Sequence, residues 1–159
     1  METVYSKIFI TAWNTVIGSF SSRHIISADV STAKKYPIGN RGIHVIIGII
    51  GDINGQISMS MNAETGKALA SEMLGGMEIT EVDEMVTSAV GELCNMIMGN
   101  ACSTISSYET NVDITPPTVV ADEIQPLLKI KPIYNITFVI EDLEAIDFIV
   151  AVKTTQVIL

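Results

Sequence analysis

Basic residues are scarce in this chain. Nine lysines and arginines face eighteen aspartates and glutamates, a formal net charge of −9 over 159 residues. A phosphate backbone would be repelled by such a surface, which excludes nucleic acid as a partner. Cysteine is scarce too. Cys94 and Cys102 stand on one expected helix, separated by about 12 Å of axial rise, too far for a disulfide. With a carboxamide and no histidine nearby they do not form a zinc site, so both read as buried or half-buried thiols in a reducing compartment. No apolar run is long enough to span a bilayer, which excludes a membrane helix. The best candidate, Ile43 to Ile50, is short, β-branched and interrupted by Gly48, and reads as a buried strand. The opening METVYSKIF lacks the basic region and apolar stretch of a secretory signal, so a cytoplasmic location is expected. No glycine loop opens a helix to cradle a phosphate. His24 and His44 lie far apart with no nucleophile arranged around them, so a catalytic triad has no support. The segment DINGQ lacks the ligand spacing and terminal glutamate of a calcium loop.

What is present is a large apolar fraction, 48% of residues, ample for the core of one domain over residues 1–159. Residues 3–20 place Val4, Ile8, Ala12, Ile17 and Phe20 at helical intervals. His24 to Ser31 reads as extended, and Lys34 to Gly42 as a surface loop. The strand GIHVIIGII follows, then a hairpin turn expected at Asn54-Gly55 and a return strand from Gln56 to Met61. Asn62 is positioned to cap a helix from Ala63 to Leu74 that Gly75 and Gly76 terminate. Thr80 with Asp83 reads as a capping box opening a long helix, Glu81 to Ser107. The Pro116-Pro117 pair ends helical structure and separates two short extended pieces. Pro126 and Pro132 bracket another connection. A second hairpin closes the chain, Ile133 to Ile140 and Ala145 to Val152. Helix, intervening segment and hairpin thus occur twice. The layout predicts a two-layer α/β fold, mainly an antiparallel sheet from two pseudo-repeated hairpins, with helices across one face.

The long helix carries the most informative pattern. Ser88, Glu92, Asn95 and Gly99 recur at spacings of four, three and four, which aligns them on one face. Val82, Val86, Ala89, Val90, Leu93 and Ile97 form the opposite, buried stripe. No lysine or arginine lies between Thr80 and Ser107, so Glu92 has no basic partner on its own helix. An asparagine inside a helix is mildly unfavourable and calls for an offsetting role. A carboxylate and a carboxamide one turn apart, flanked by small residues, present a probe for another molecule. Pro117 reads as structural, and Met85, Met96 and Met98 as core or rim contacts.

The Ser88-x-x-x-Glu92-x-x-Asn95 array followed by Pro117, within ELCNMI and DITPPT, resembles the signature of the CheC/CheX/FliY phosphatases of bacterial chemotaxis, closest to the CheX-like branch. The resemblance covers essentially the whole chain. It implies hydrolysis of the phospho-aspartate on the response regulator CheY. By that resemblance Glu92 pairs with a lysine of the regulator's active site, and Asn95 directs its side-chain oxygen at the attacking water. No cofactor of the chain's own is implied, Mg2+ being supplied by the regulator. A homodimer through edge strands is implied as well. In the first helix the equivalent positions are Thr11 and Asn14, where threonine replaces the glutamate, so one working site per chain is expected. Two other readings stay open from the residues: a non-catalytic flagellar-switch or regulatory module docking a partner on the same helix, and a phosphatase of a different receiver-domain protein.

Overall fold

The computed structural model describes residues 2–33, 42–120, 130 and 133–154. The loop expected at 34–41 and the connection bracketed by Pro126 and Pro132 lie outside these residues. In chain order the elements are α1 (Glu2–Gly18), β1 (Ile25–Ala33), β2 (Ile43–Gly51), β3 (Ile53–Met61), α2 (Ala63–Met73), α3 (Glu84–Ser106), β4 (Val112–Ile114), β5 (Thr118–Val120), β6 (Ile133–Ile140) and β7 (Ile146–Thr154). No helix among the described residues is long and apolar enough to cross a membrane.

The seven strands form one antiparallel sheet in the order β1-β6-β7-β3-β2-β4, with β5 also pairing β2. The two hairpins, β2/β3 and β6/β7, meet at its centre, where β3 pairs β7 from Ile53↔Thr154 to Ser60↔Asp147. The outer strands are exchanged between the halves. β1 of the first half lies against β6 of the second, while β4 and β5 of the second lie against β2 of the first. The expected duplicated layout is present, and this exchange interlocks its two copies. Period-two alternation explains the layering: Ile43, Val45, Ile47 and Ile49 of β2 point into the same core as Ile136, Phe138 and Ile140 of β6. Residues of α1 and α3 close that core from above. Its aromatic centre is Trp13 of α1, stacked on Phe138 at 4.4 Å and meeting Phe148 edge-on at 6.4 Å.

Several local expectations shift. The buried stripe of α1 includes Ile8, Ala12 and Ile17 as expected, together with Phe9, Trp13 and Val16; Val4 is exposed and Phe20 lies beyond the helix. α3 starts three residues later than expected, capped by Asp83, whose carboxylate accepts the Val86 N–H at 3.1 Å. Thr80 is not the cap. Its carbonyl accepts from Lys67 Nζ at 3.3 Å, which ties it back to α2. α2 is capped by Asn62, which accepts the Thr65 N–H at 2.8 Å, and ends at Gly75 and Gly76 with φ of 75° and 88°.

The first hairpin turns at Gly51 and Asp52, not at Asn54-Gly55. Gly51 adopts φ +125°, and the Asn54 carboxamide closes the turn by pairing with the Gly51 N–H and carbonyl. Gly55 sits inside β3, opposite Ile49 on one side and Val152 on the other. A Cβ there would lie 2.1 Å from the Ala151 carbonyl oxygen. The glycine therefore serves close backbone approach at the joint of the two hairpins rather than a reversal of the chain. Gly55→Ala is expected to destabilise the fold by about 2 kcal/mol or more, since the neighbouring strand must yield. Urea unfolding checks this, and a midpoint equal to that of the wild type would contradict it.

Candidate functional site

α3 packs against α1 and α2 and against β2, β4 and β5. Val86, Val90, Leu93, Ile97, Ala101 and Ile105 are buried along one side of the helix. Met98 joins them in the core, and Val82, expected in the stripe, is only partly buried ahead of the first turn. That anchoring fixes the opposite side as a ridge. Ser88, Glu92 and Gly99 are exposed on it, and Asn95 is half-buried. Asn95 follows Glu92 by three positions, about 4.5 Å of axial rise, so both heads sit on the same stretch of ridge. Neither side chain takes part in a hydrogen bond or ion pair among the described residues. A Cβ at Gly99 would meet nothing within 4 Å, which leaves the far end of the ridge open to an approaching molecule.

The ridge stands between two open grooves. One, about 730 Å³, runs between the end of α2 and the start of α3 and is lined by Met73, Leu74, Asp83, Glu84, Met85, Ser88, Ala89 and Glu92. The other, about 300 Å³, is lined by Thr87, Ser88, Gly91, Glu92, Pro117 and Val119. Ser88 and Glu92 therefore face both grooves, and Pro117, twenty-five residues downstream of Glu92, is brought to the same place by β4 and β5. Asn95 lies one turn further along the helix, outside the lining of either.

Gly91 was not singled out by the sequence pattern, although it belongs to the site's construction. A Cβ at this buried position would stand 3.0 Å from a Val119 methyl and 3.9 Å from the Pro117 ring. The glycine lets the β4–β5 segment lie close against the helix. The sequence carried a signal for it: a glycine inside a long helix costs about 1 kcal/mol relative to alanine and calls for a packing reason.

The thiols of the same helix are not part of this surface. Cys94 and Cys102 are unbridged and buried. Burial pushes the Cys94 pKa up to about 12, and burial together with the negative charge of Asp113 pushes Cys102 up to about 11. Both stay protonated near neutrality and make poor nucleophiles. Among the described residues no cluster of three or more histidine, cysteine, aspartate or glutamate side chains is arranged to hold a metal ion. On α1, Thr11, Asn14 and Gly18 are exposed on one side, repeating the spacing of Glu92, Asn95 and Gly99 without the carboxylate.

This interlocked pair of helix-and-hairpin halves is a fold shared with a solved protein of the CheC-like superfamily. A Shewanella protein of that superfamily superposes with a TM-score of 0.84 at 20% identity, over 96% of this chain and 99% of the other. The chain belongs to the CheX family of chemotaxis phosphatases, whose family model matches residues 43–138. It is 36% identical over 114 residues to the CheY-P phosphatase CheX of Thermotoga maritima, 68% of this chain and 74% of that protein. A CheX from Borrelia burgdorferi, solved in a complex with CheY, BeF3 and Mg2+, superposes with a TM-score of 0.78 at 25% identity, covering 94% of this chain and 97% of that one.

Proposed function

We propose that this chain hydrolyses the aspartyl phosphate of the response regulator CheY by inserting the α3 ridge into the regulator's active site. Water attacks the phosphorus, the bond to the aspartyl oxygen breaks, and the products are inorganic phosphate and the free carboxylate. The observation that carries the reading is the pair Glu92 and Asn95, held by a deeply packed helix yet unengaged by any partner within the described chain. The Thermotoga relative, named a CheY-P phosphatase, supports the substrate.

Each residue has a distinct task. The Glu92 carboxylate pairs with a lysine beside the phosphorylation site and sets the register of the two proteins. The Asn95 carboxamide oxygen accepts a hydrogen bond from the attacking water and holds it in line with the scissile bond. Phosphoryl transfer asks little covalent chemistry of the enzyme, so positioning accounts for much of the catalysis. Mg2+ comes with the regulator, in keeping with the Borrelia CheX complex that contains CheY, BeF3 and Mg2+. The α1 counterpart has Thr11 where a carboxylate is needed, so one site per chain operates.

Residues 1–159 act as one domain in this reading, working in the cytoplasm. The chain pairs with a second copy through β1. The outer side of that strand carries no further strand among the described residues, and its register shift between Ile25 and Ser27 leaves Ile26 66% exposed.

Glu92→Ala tests the docking half of the mechanism. In phosphate release from phosphorylated CheY, its KM is expected to rise about tenfold, the scale of one charge-assisted hydrogen bond, with a smaller loss in kcat. Thermal stability should stay close to wild type, because the side chain is exposed and unpaired. Wild-type KM and kcat in the variant would overturn the assignment.

A further inference from the structure

The larger groove, between α2 and α3, begins at Glu92 and runs away from Asn95, so the proposed hydrolysis leaves it without a task. The connection that leads from α2 to α3 beside it is held by specific contacts. Lys67 forms an ion pair with Glu64 at 2.7 Å and donates to the Thr80 carbonyl at 3.3 Å. Ser71 Oγ donates to the Met77 carbonyl at 2.6 Å. Together these bonds tie the Gly75–Thr80 segment onto α2. The groove's apolar lining is partly uncovered: Leu74 is 37% exposed and Met85 46%. Methionine surfaces of this kind adapt their shape to a docked apolar side chain.

The surroundings have one sign of charge. Glu78, Glu81, Asp83, Glu84 and Glu92 fall between residues 78 and 92, and no lysine or arginine occurs anywhere from 68 to 128. Two bases on or against α2 are already engaged, Lys67 with Glu64 and Arg23 with Glu72 at 2.6 Å. A second copy of this chain, itself carrying a net charge of −9, is a poor electrostatic match for such a rim.

We infer that the α2–α3 groove is a second docking site for the regulator, taking a segment in which an exposed apolar side chain is flanked by lysine or arginine. The inference rests on the proposed hydrolysis of phosphorylated CheY, because Glu92 joins the groove to the catalytic ridge and the two surfaces are continuous. The apolar side chain enters between Leu74 and Met85, and the flanking cations face Glu84 and its acidic neighbours. The groove then selects which receiver protein binds, while the ridge performs the chemistry.

The test measures binding of CheY carrying BeF3− and Mg2+, and phosphate release from phosphorylated CheY, for wild type, Leu74→Ser, Met85→Ser and Glu84→Gln. Expected are a rise of about tenfold in Kd and KM for each apolar variant, with the loss falling on binding rather than on kcat. Glu84→Gln is expected to raise Kd about threefold and to flatten its dependence on salt. Glu84→Gln removes no packing, so it keeps the test meaningful if an apolar variant melts early. Wild-type Kd and KM in all three variants, with Asn95→Ala still losing turnover, would overturn the groove and leave the ridge standing. Full turnover by Asn95→Ala would instead overturn the ridge chemistry. Failure of wild type to bind the BeF3−-loaded regulator would overturn both. A shift of the wild-type dimer toward monomer in Met85→Ser would assign the groove to a second copy of this chain and overturn the inference.

Discussion

Asn95→Ala is expected to lower kcat for phosphate release from phosphorylated CheY by about 100-fold while leaving KM within about twofold of wild type. The side chain is placed on a helix whose other face is locked into the core by Leu93 and Ile97, both fully buried, so in the proposed mechanism the carboxamide would approach the phosphoryl group from a rigid base. Removing it leaves the water in the pocket but without its orienting acceptor. Displacement of a reacting atom by about 1 Å can cost about 100-fold in rate, and the regulator's own Mg2+ cannot restore that alignment. Asn95 forms no hydrogen bond within the described chain, so the loss should appear without a change in melting temperature. Asn95→Gln offers a second arm: the same carboxamide one methylene further out should recover little of the rate. Wild-type turnover in Asn95→Ala would remove Asn95 from the chemistry.

The largest effect on stability is expected from Trp13→Ala, about 3–5 kcal/mol. Trp13 is fully buried and is the ring that joins α1 to both strands of the second hairpin, through Phe138 on β6 and Phe148 on β7. Truncation would leave a cavity at the contact between the two halves, where strands from each repeat also interlock. Trp13→Phe separates volume from chemistry. The indole Nε1 is buried with no hydrogen-bond partner among the described residues, so replacing the indole with a carbon ring removes an unpaired donor while leaving a smaller void. Its cost should be well below that of the alanine variant. Urea midpoints of the three proteins check the order, and an alanine variant within about 1 kcal/mol of wild type would contradict this view of the core.

Much of this fold could be read before any coordinates. The apolar β-branched runs Ile43 to Ile50 and Ile133 to Ile140, the Asn62 cap with its Gly75-Gly76 stop, and the break at Pro116-Pro117 are local signals. Each states its meaning within a few residues. Asn54-Gly55 carries a strong hairpin signature, yet the chain turns at Gly51. What decides Gly55 is the approach of β7, nearly a hundred residues later in the chain, which no short window contains. Thr80 and Asp83 match a capping box within four residues, whereas the Thr80 carbonyl is claimed by Lys67 across the α2–α3 loop, beyond that window. The exchange of β1 and β4–β5 between the halves is likewise a long-range fact. Of the site, the ridge was visible from spacing alone, because helical periodicity fixes which residues share a face. The two grooves beside it were not. They depend on how α2 and the β4–β5 segment come to rest against α3, and the single hint was Gly91.

The most direct test of the account is the structure of this chain bound to CheY carrying Mg2+ and BeF3−. The α3 ridge is expected inside the regulator's active site. The Glu92 carboxylate should lie within ion-pair distance of a lysine, and the Asn95 carboxamide within hydrogen-bond reach of the water position in line with the beryllium. A complex in which CheY docks elsewhere on the chain, with Glu92 and Asn95 still facing solvent, would contradict it.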